Sequence, residues 1–238
     1  MVNGIRYNAV THVGKVRKVN EDSILSLPEE QIWVVADGMG GHAAGDFASQ
    51  TVVDTVAAIH SWLPPAERMQ ALRAALEAAH VTVQAESARR GGATVGAAVV
   101  ALIIADGHFA AFWSGDSRLY RFRDGGIEML TSDHSVVAEF VKAGQITWDE
   151  AETHPHSNAI TRAIGVGDDP GLDKIRGQVE PGDRFLLCSD GLTKYAGFEV
   201  LRKAVTGAPI ELVSNRLLEL ALDGGGQDNI SIIVVDAL

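Results

Sequence analysis

The sequence predicts an α+β fold, on three observations. Apolar runs of strand length recur along the chain. Two pairs of them are joined by Asp-Gly at hairpin distance, and amphipathic stretches of helical period stand between groups of strands without alternating with single strands. The expected strands are 5–11, 31–36, 94–104, 108–114, 117–122, 127–130, 174–179, 183–188 and 229–236. A helix is expected over about 43–60, after the glycine run 38–41, and another after Pro64-Pro65, where Met69, Leu72, Leu76, Ala79 and Val83 recur at three and four residues. The hairpins come next, turning at Asp106-Gly107 and Asp124-Gly125, and a short helix is expected over Ser135–Ala143. Near the end, Ile210, Val213, Leu217 and Leu220 form a last apolar stripe, which Asp223-Gly224-Gly225-Gly226 terminates.

Length and composition bound the function. The 238 residues suit a single domain with a substantial core. Twenty basic against 31 acidic residues leave a net charge of −11, which argues against a nucleic-acid surface and permits carboxylates gathered around divalent cations. The longest apolar run, Ala97 to Ala105, is far shorter than the ~20 residues of a membrane helix, so no membrane partner is expected. The N-terminal stretch lacks the layout of a signal peptide, and one cysteine, Cys188, excludes an internal disulfide. The cytoplasm is the default compartment and a monomer the expected state.

The segment 31–42, "QIWVVADGMGGH", runs from an apolar strand into Asp37, three glycines and His42. Alone it reads as a turn, as a nucleotide loop of the form G-x-G-x-x-A, or as a metal site whose bare backbone lets an ion approach Asp37. A dinucleotide site needs a second strand ending in an acid after the helix; here a proline break and another helix follow. Asp-Gly occurs at 37, 106, 124, 190 and 223. Asp37 and Asp190 differ from the hairpin pairs because each ends a near-continuous apolar strand, where an unpaired carboxylate is costly. Asp228 precedes the last strand, and Arg17, Asn20, Glu21 and Asp22 follow the first. Solvated loop positions would account for any one of these acids and account poorly for all of them. Hard oxygen donors from several segments suit Mg²⁺ or Mn²⁺, whereas the histidine and cysteine spacing does not suit zinc.

The ordered set Arg17…Glu21-Asp22, Asp37-Gly38…Gly41-His42, Gly92-Ala93-Thr94, Gly115-Asp116-Ser117-Arg118, Asp133-His134-Ser135, Asn158 to Gly165, Ser189-Asp190-Gly191 and Asp228-Asn229 resembles the metal-dependent protein phosphatases of the PPM, or type 2C, family. It is most similar to their stand-alone bacterial members, over about residues 5–236. The resemblance implies a four-layer sandwich: two antiparallel β-sheets flanked by pairs of helices, with a metal centre in a cleft at one end. It implies one domain over 1–238, with a flap-like segment at about 134–171.

The resemblance also implies roles. Asp37 would bridge two Mn²⁺ or Mg²⁺ ions and the Gly38 carbonyl would complete one of them. Glu21 would join the second ion, while Asp190 and Asp228 hold the first. Asp22 would orient the attacking water, a hydroxide between the ions; Arg17 would hold the phosphate and His42 would donate a proton to the leaving alkoxide. Relatives bind a third ion through aspartates matching Asp116 and Asp190 and another four residues later, where this chain has Lys194. The expectation is therefore a third site that is weak or empty, with the ammonium directed at Asp116 or Asp190. A cysteine-nucleophile route is excluded, because Lys194 stands where Cys-x5-Arg needs arginine.

The implied activity is hydrolysis of phosphoserine and phosphothreonine in proteins, reversing a cognate bacterial Ser/Thr kinase. The alternatives are a catalytically weak phosphoprotein-binding adaptor and a phosphatase of small phosphoesters. Retention of all four acidic ligands of the two-ion centre, with Arg17 and His42, argues against the adaptor.

Overall fold

Strands buried on both faces explain why the apolar runs are continuous although every strand pair is antiparallel. The computed structural model describes residues 4–41, 43–152, 154–156 and 159–238. It begins with β1 (Ile5–His12), β2 (Asp22–Leu27) and β3 (Ile32–Met39), then α1 (Gly45–Ala57) and α2 (Pro65–Arg89). Two hairpins follow, β4 (Gly96–Ala105) with β5 (His108–Ser114) and β6 (Arg118–Arg123) with β7 (Gly126–Met129). The short helices α3 (Val136–Lys142) and α4 (Trp148–Glu152) lead to β8 (Asp173–Gln178) and β9 (Arg184–Cys188). The chain ends with α5 (Asp190–Thr193), α6 (Phe198–Val205), α7 (Ile210–Gly224) and β10 (Ile230–Ala237).

One sheet has the order β1-β10-β9-β6-β7 and the other β2-β3-β4-β5-β8. Alternation along β3 sends Trp33 and Val35 into the core between the sheets, while Ile32, Val34 and Ala36 face α1 and α2. In β10, Ile233 and Val235 face the other sheet, and Ile230, Ile232 and Val234 face α6 and α7. Helix, sheet, sheet and helix thus stack in four layers, as the resemblance implied. Asp106 and Asp124 adopt φ of 51° ahead of Gly107 and Gly125, the left-handed pair of a primed hairpin turn.

The structure also departs from the sequence reading. Asp37 does not end its strand: β3 runs on to Met39 and pairs there with Gly96 of β4. The third expected strand, β4 in the structure, begins at Gly96, not 94. β2 and α6 were not expected; β2 is short and polar in part, and α6 spans eight residues.

The segment that was expected to form a flap carries α3 and α4 and is laced to the sheets. Ala97 bridges to Ile164 and Ser135 to Ile160, and the His134 N–H donates to the Gly115 carbonyl at 2.9 Å. Buried Arg118 pairs with Asp133 at 2.7 Å, and the Trp148 ring of α4 lies 5.0 Å from its guanidinium.

Candidate metal centre

The acids picked out in the sequence meet at one end of the sandwich, because the strand ends that carry them lie side by side. Arg17, Glu21, Asp37, Gly38, Asp116, Asp190 and Asp228 line one cavity of about 380 Å³, together with Lys194 and Asn229. Asp22 stands behind it, buried. His42 lies outside the described residues, as does Asn158.

Backbone register brings the first two acids together. In the β2–β3 ladder Asp22 is directly opposite Asp37, an arrangement that is unfavourable for two like charges. Burial, then Asp22, Asp190 and further acids, hold the Asp37 carboxyl well above the usual range. Burial likewise pushes Asp22 up to about 7, against a hydrogen bond donated by Ser189 Oγ to its Oδ2 at 2.9 Å. Its Oδ1 is buried with no hydrogen-bond partner. Asp116, two residues ahead of β6, is raised to about 8 by burial and by Asp190. Such an assembly calls for compensating positive charge.

Gly38 permits the close approach. A β-carbon there would fall 2.2 Å from the Gly45 carbonyl oxygen and 2.5 Å from that of Glu21, so only glycine lets β3 pass under the start of α1. The Gly38 N–H donates to the Glu21 carbonyl at 3.2 Å, and Ser49 Oγ donates to the same oxygen at 2.6 Å. Glu21 is thereby fixed beside Asp37.

Two side chains of this chain already place positive charge among the acids. Arg17 forks onto Asp228, with Nε 2.9 Å from Oδ1 and Nη2 3.0 Å from Oδ2. Lys194 Nζ lies 2.8 Å from Asp190 Oδ2 and 3.0 Å from Asp228 Oδ2. Burial opposes the Lys194 charge, but the two aspartates outweigh it and hold the ammonium above its ordinary value. Burial also opposes the Asp228 charge, and Lys194 and Arg17 hold that carboxylate below the usual range. The expected contact of Lys194 with Asp190 is present; the second partner is Asp228, not Asp116. Among the described residues no three His, Cys, Asp or Glu side chains converge as a ready-made cage. The donor set nevertheless fits hard divalent ions: carboxylates on several elements, a carbonyl at Gly38, and an unpartnered carboxylate oxygen just behind.

Asn229 was quoted in the sequence only as part of a motif, and its function appears from the contacts. Its Oδ1 accepts from the Glu21 N–H at 2.9 Å, and its Nδ2 donates to the carbonyls of Val13 at 2.9 Å and Val19 at 3.0 Å. One buried amide thus clamps both ends of the loop carrying Arg17, and Glu21 with it. Asn229→Ala removes three hydrogen bonds and is expected to cost about 1–3 kcal/mol, with a several-fold rise in KM as Arg17 loosens. Thermal melts and steady-state kinetics read both; an unchanged KM would show that the clamp does not position Arg17.

Cys188 is fully buried in β9 and burial pushes its thiol up to about 12, which removes it as a nucleophile near neutral pH.

The sequence pattern of the family Protein phosphatase 2C matches residues 12–216. The serine/threonine protein phosphatase PstP of Mycobacterium tuberculosis is 35% identical over 235 residues, covering 98% of this chain and 45% of its own. The chain thus spans about half the length of that relative. Protein phosphatase PhpP of Streptococcus pneumoniae is 35% identical over 242 residues, 95% of each chain. Among solved structures, PppA of Pseudomonas aeruginosa superposes with a TM-score of 0.93 at 41% identity, covering 100% of this chain and 99% of its own. The catalytic domain of PstP in complex with two manganese ions superposes at 0.88 with 34% identity, covering 98% and 97%.

Proposed function

The chain belongs to the protein phosphatase 2C family, and from that premise we propose that it hydrolyses phosphoserine and phosphothreonine in proteins with two divalent cations, Mn²⁺ or Mg²⁺. The observation that carries this reading is the convergence of Glu21, Asp37, Gly38, Asp190 and Asp228 on one cavity that Arg17 also lines. Asp37 would hold both ions and the Gly38 carbonyl one of them, with Glu21 on the second and Asp190 with Asp228 on the first. When bound, the ions supply Lewis acidity at the phosphate and lower the pKa of water.

The protein residues do the rest. Arg17, on a loop half open to solvent, presents a planar fork suited to two phosphate oxygens. Asp22, whose buried Oδ1 has no hydrogen-bond partner, would orient the attacking water. The water oxygen bonds to phosphorus and releases a proton to solvent, the phosphorus–Oγ bond breaks, and His42 gives a proton to the departing serine or threonine oxygen and regains one from solvent. The products are inorganic phosphate and the free hydroxyl.

The cation at position 194, where a third ion would need a carboxylate, keeps that third site weak or empty, although Asp116 is present. The reading extends to a single unit with a flap at about 134–171, acting as a monomer in the cytoplasm against a cognate Ser/Thr kinase.

Protein stripped by a chelator should not hydrolyse a phosphoserine peptide, and should do so after Mn²⁺ or Mg²⁺ is restored. Equal rates in excess chelator would overturn the reading.

A further inference from the structure

We propose that Lys194 is a tethered cation that competes for the first-ion carboxylates, so that a divalent ion enters between Asp190 and Asp228 only by exchange with its ammonium. This rests on the reading of those two aspartates as metal ligands. The short helix α5 sets the geometry: the Lys194 N–H donates to the Asp190 carbonyl at 3.0 Å, which places its side chain one turn along from the Asp190 carboxylate. β10 brings in Asp228 from the other side, and one Nζ contacts both carboxylates, at 2.8 and 3.0 Å. All three side chains are about three-quarters hidden from solvent, at 26%, 22% and 23% exposure, so the contacts are screened less than an open surface pair.

The ammonium occupies lone pairs of Asp190 Oδ2 and Asp228 Oδ2 that a divalent ion between them would use, and the two cations repel one another. Exchange has somewhere to send the ammonium. Lys194 also lines a second cavity, of about 280 Å³, which shares Asp116 and Asp190 with the first. A lysine turned that way frees Asp190 and removes one of the two cations on Asp228, where Arg17 remains, and brings its charge toward Asp116. The same side chain then guards the first site when metal is scarce and fills the place of a third ion when metal is bound.

The test is Mn²⁺ binding followed by calorimetry on the chelator-stripped full chain, with melting temperatures for the metal-free and Mn²⁺-saturated forms. Lys194→Met keeps the stem and removes the charge; Lys194→Arg keeps a cation. Exchange requires Lys194→Met to bind its first Mn²⁺ at least about tenfold more tightly than the unmodified protein, because a competitor has gone. The metal-free melting temperature should fall while the rise on adding Mn²⁺ grows. Lys194→Arg should stay closer to the unmodified affinity. Equal or weaker Mn²⁺ binding by Lys194→Met, or a parallel drop in both melting temperatures, would make Lys194 a structural bridge only and overturn the exchange. If the unmodified protein and Lys194→Met both bind no Mn²⁺, the metal reading itself falls and the exchange with it. If both bind equally and cleave a phosphoserine peptide, only the exchange falls.

Discussion

Asp37→Asn should lower turnover of a phosphoserine peptide by about 10³-fold or more, equivalent to about 4 kcal/mol of lost transition-state stabilisation. Asp37 is the one acid proposed to touch both ions, and a neutral amide neither balances their charge nor bridges them. The loss should come without unfolding. Asp37 sits opposite Asp22 across the β2–β3 ladder and is held well above the usual carboxylate range, by burial first and then by Asp22. Removing its charge relieves that repulsion, so the metal-free melting temperature should hold or rise. Asp190→Asn should lose activity on the same scale but behave differently without metal, because Asp190 is paired with Lys194 at 2.8 Å. Its metal-free form should melt lower. Turnover measured at saturating Mn²⁺, beside melts in chelator, separates the two; near-normal turnover for Asp37→Asn would remove it from the bridging position.

His42→Ala is the second large effect. Gly41, the residue before it, lines the cavity that holds the acids. A serine alkoxide is a poor leaving group, and a positioned acid contributes about 10²–10⁴-fold to such a step. The variant should therefore lose about that factor on phosphoserine peptides and far less on p-nitrophenyl phosphate, whose leaving group needs little protonation. Imidazole, with an unperturbed pKa of ~6.5, is present partly as the acid near neutral pH. An equal loss on both substrates would assign His42 to positioning the phosphate.

What the sequence made legible follows from the physics of each element. Long apolar runs announced β3, β4, β5, β9 and β10 because each is buried on both faces, and the Asp-Gly turns announced the two hairpins. β2, "DSILSL", is short and mixes serines with aliphatics, so its pairing with β3 left no periodic signal. That pairing is what sets Asp22 against Asp37. The acids that follow the apolar runs were visible because an isolated carboxylate is costly there, and the order of the motifs suggested the roles proposed for them. The contacts of Lys194 and Asn229 were only partly visible. Its spacing tied Lys194 to Asp190 through one turn, but Asp228 enters just ahead of β10, 34 residues later. Asn229 clamps a loop more than 200 residues away in sequence. Partners so distant are set by the sandwich, not by local pattern.

Asp37 and its neighbours are proposed to hold two catalytic divalent ions. A crystal of the unmodified protein grown with Mn²⁺, with the manganese anomalous signal recorded, tests this most directly. Two peaks are expected, roughly 3.5–4 Å apart and bridged by Asp37, with Glu21 on one and Asp190 with Asp228 on the other, and Lys194 withdrawn from both. A single peak, or peaks away from Asp37, would contradict the two-ion centre, and a full third peak bound by Asp116 would contradict the place given to Lys194.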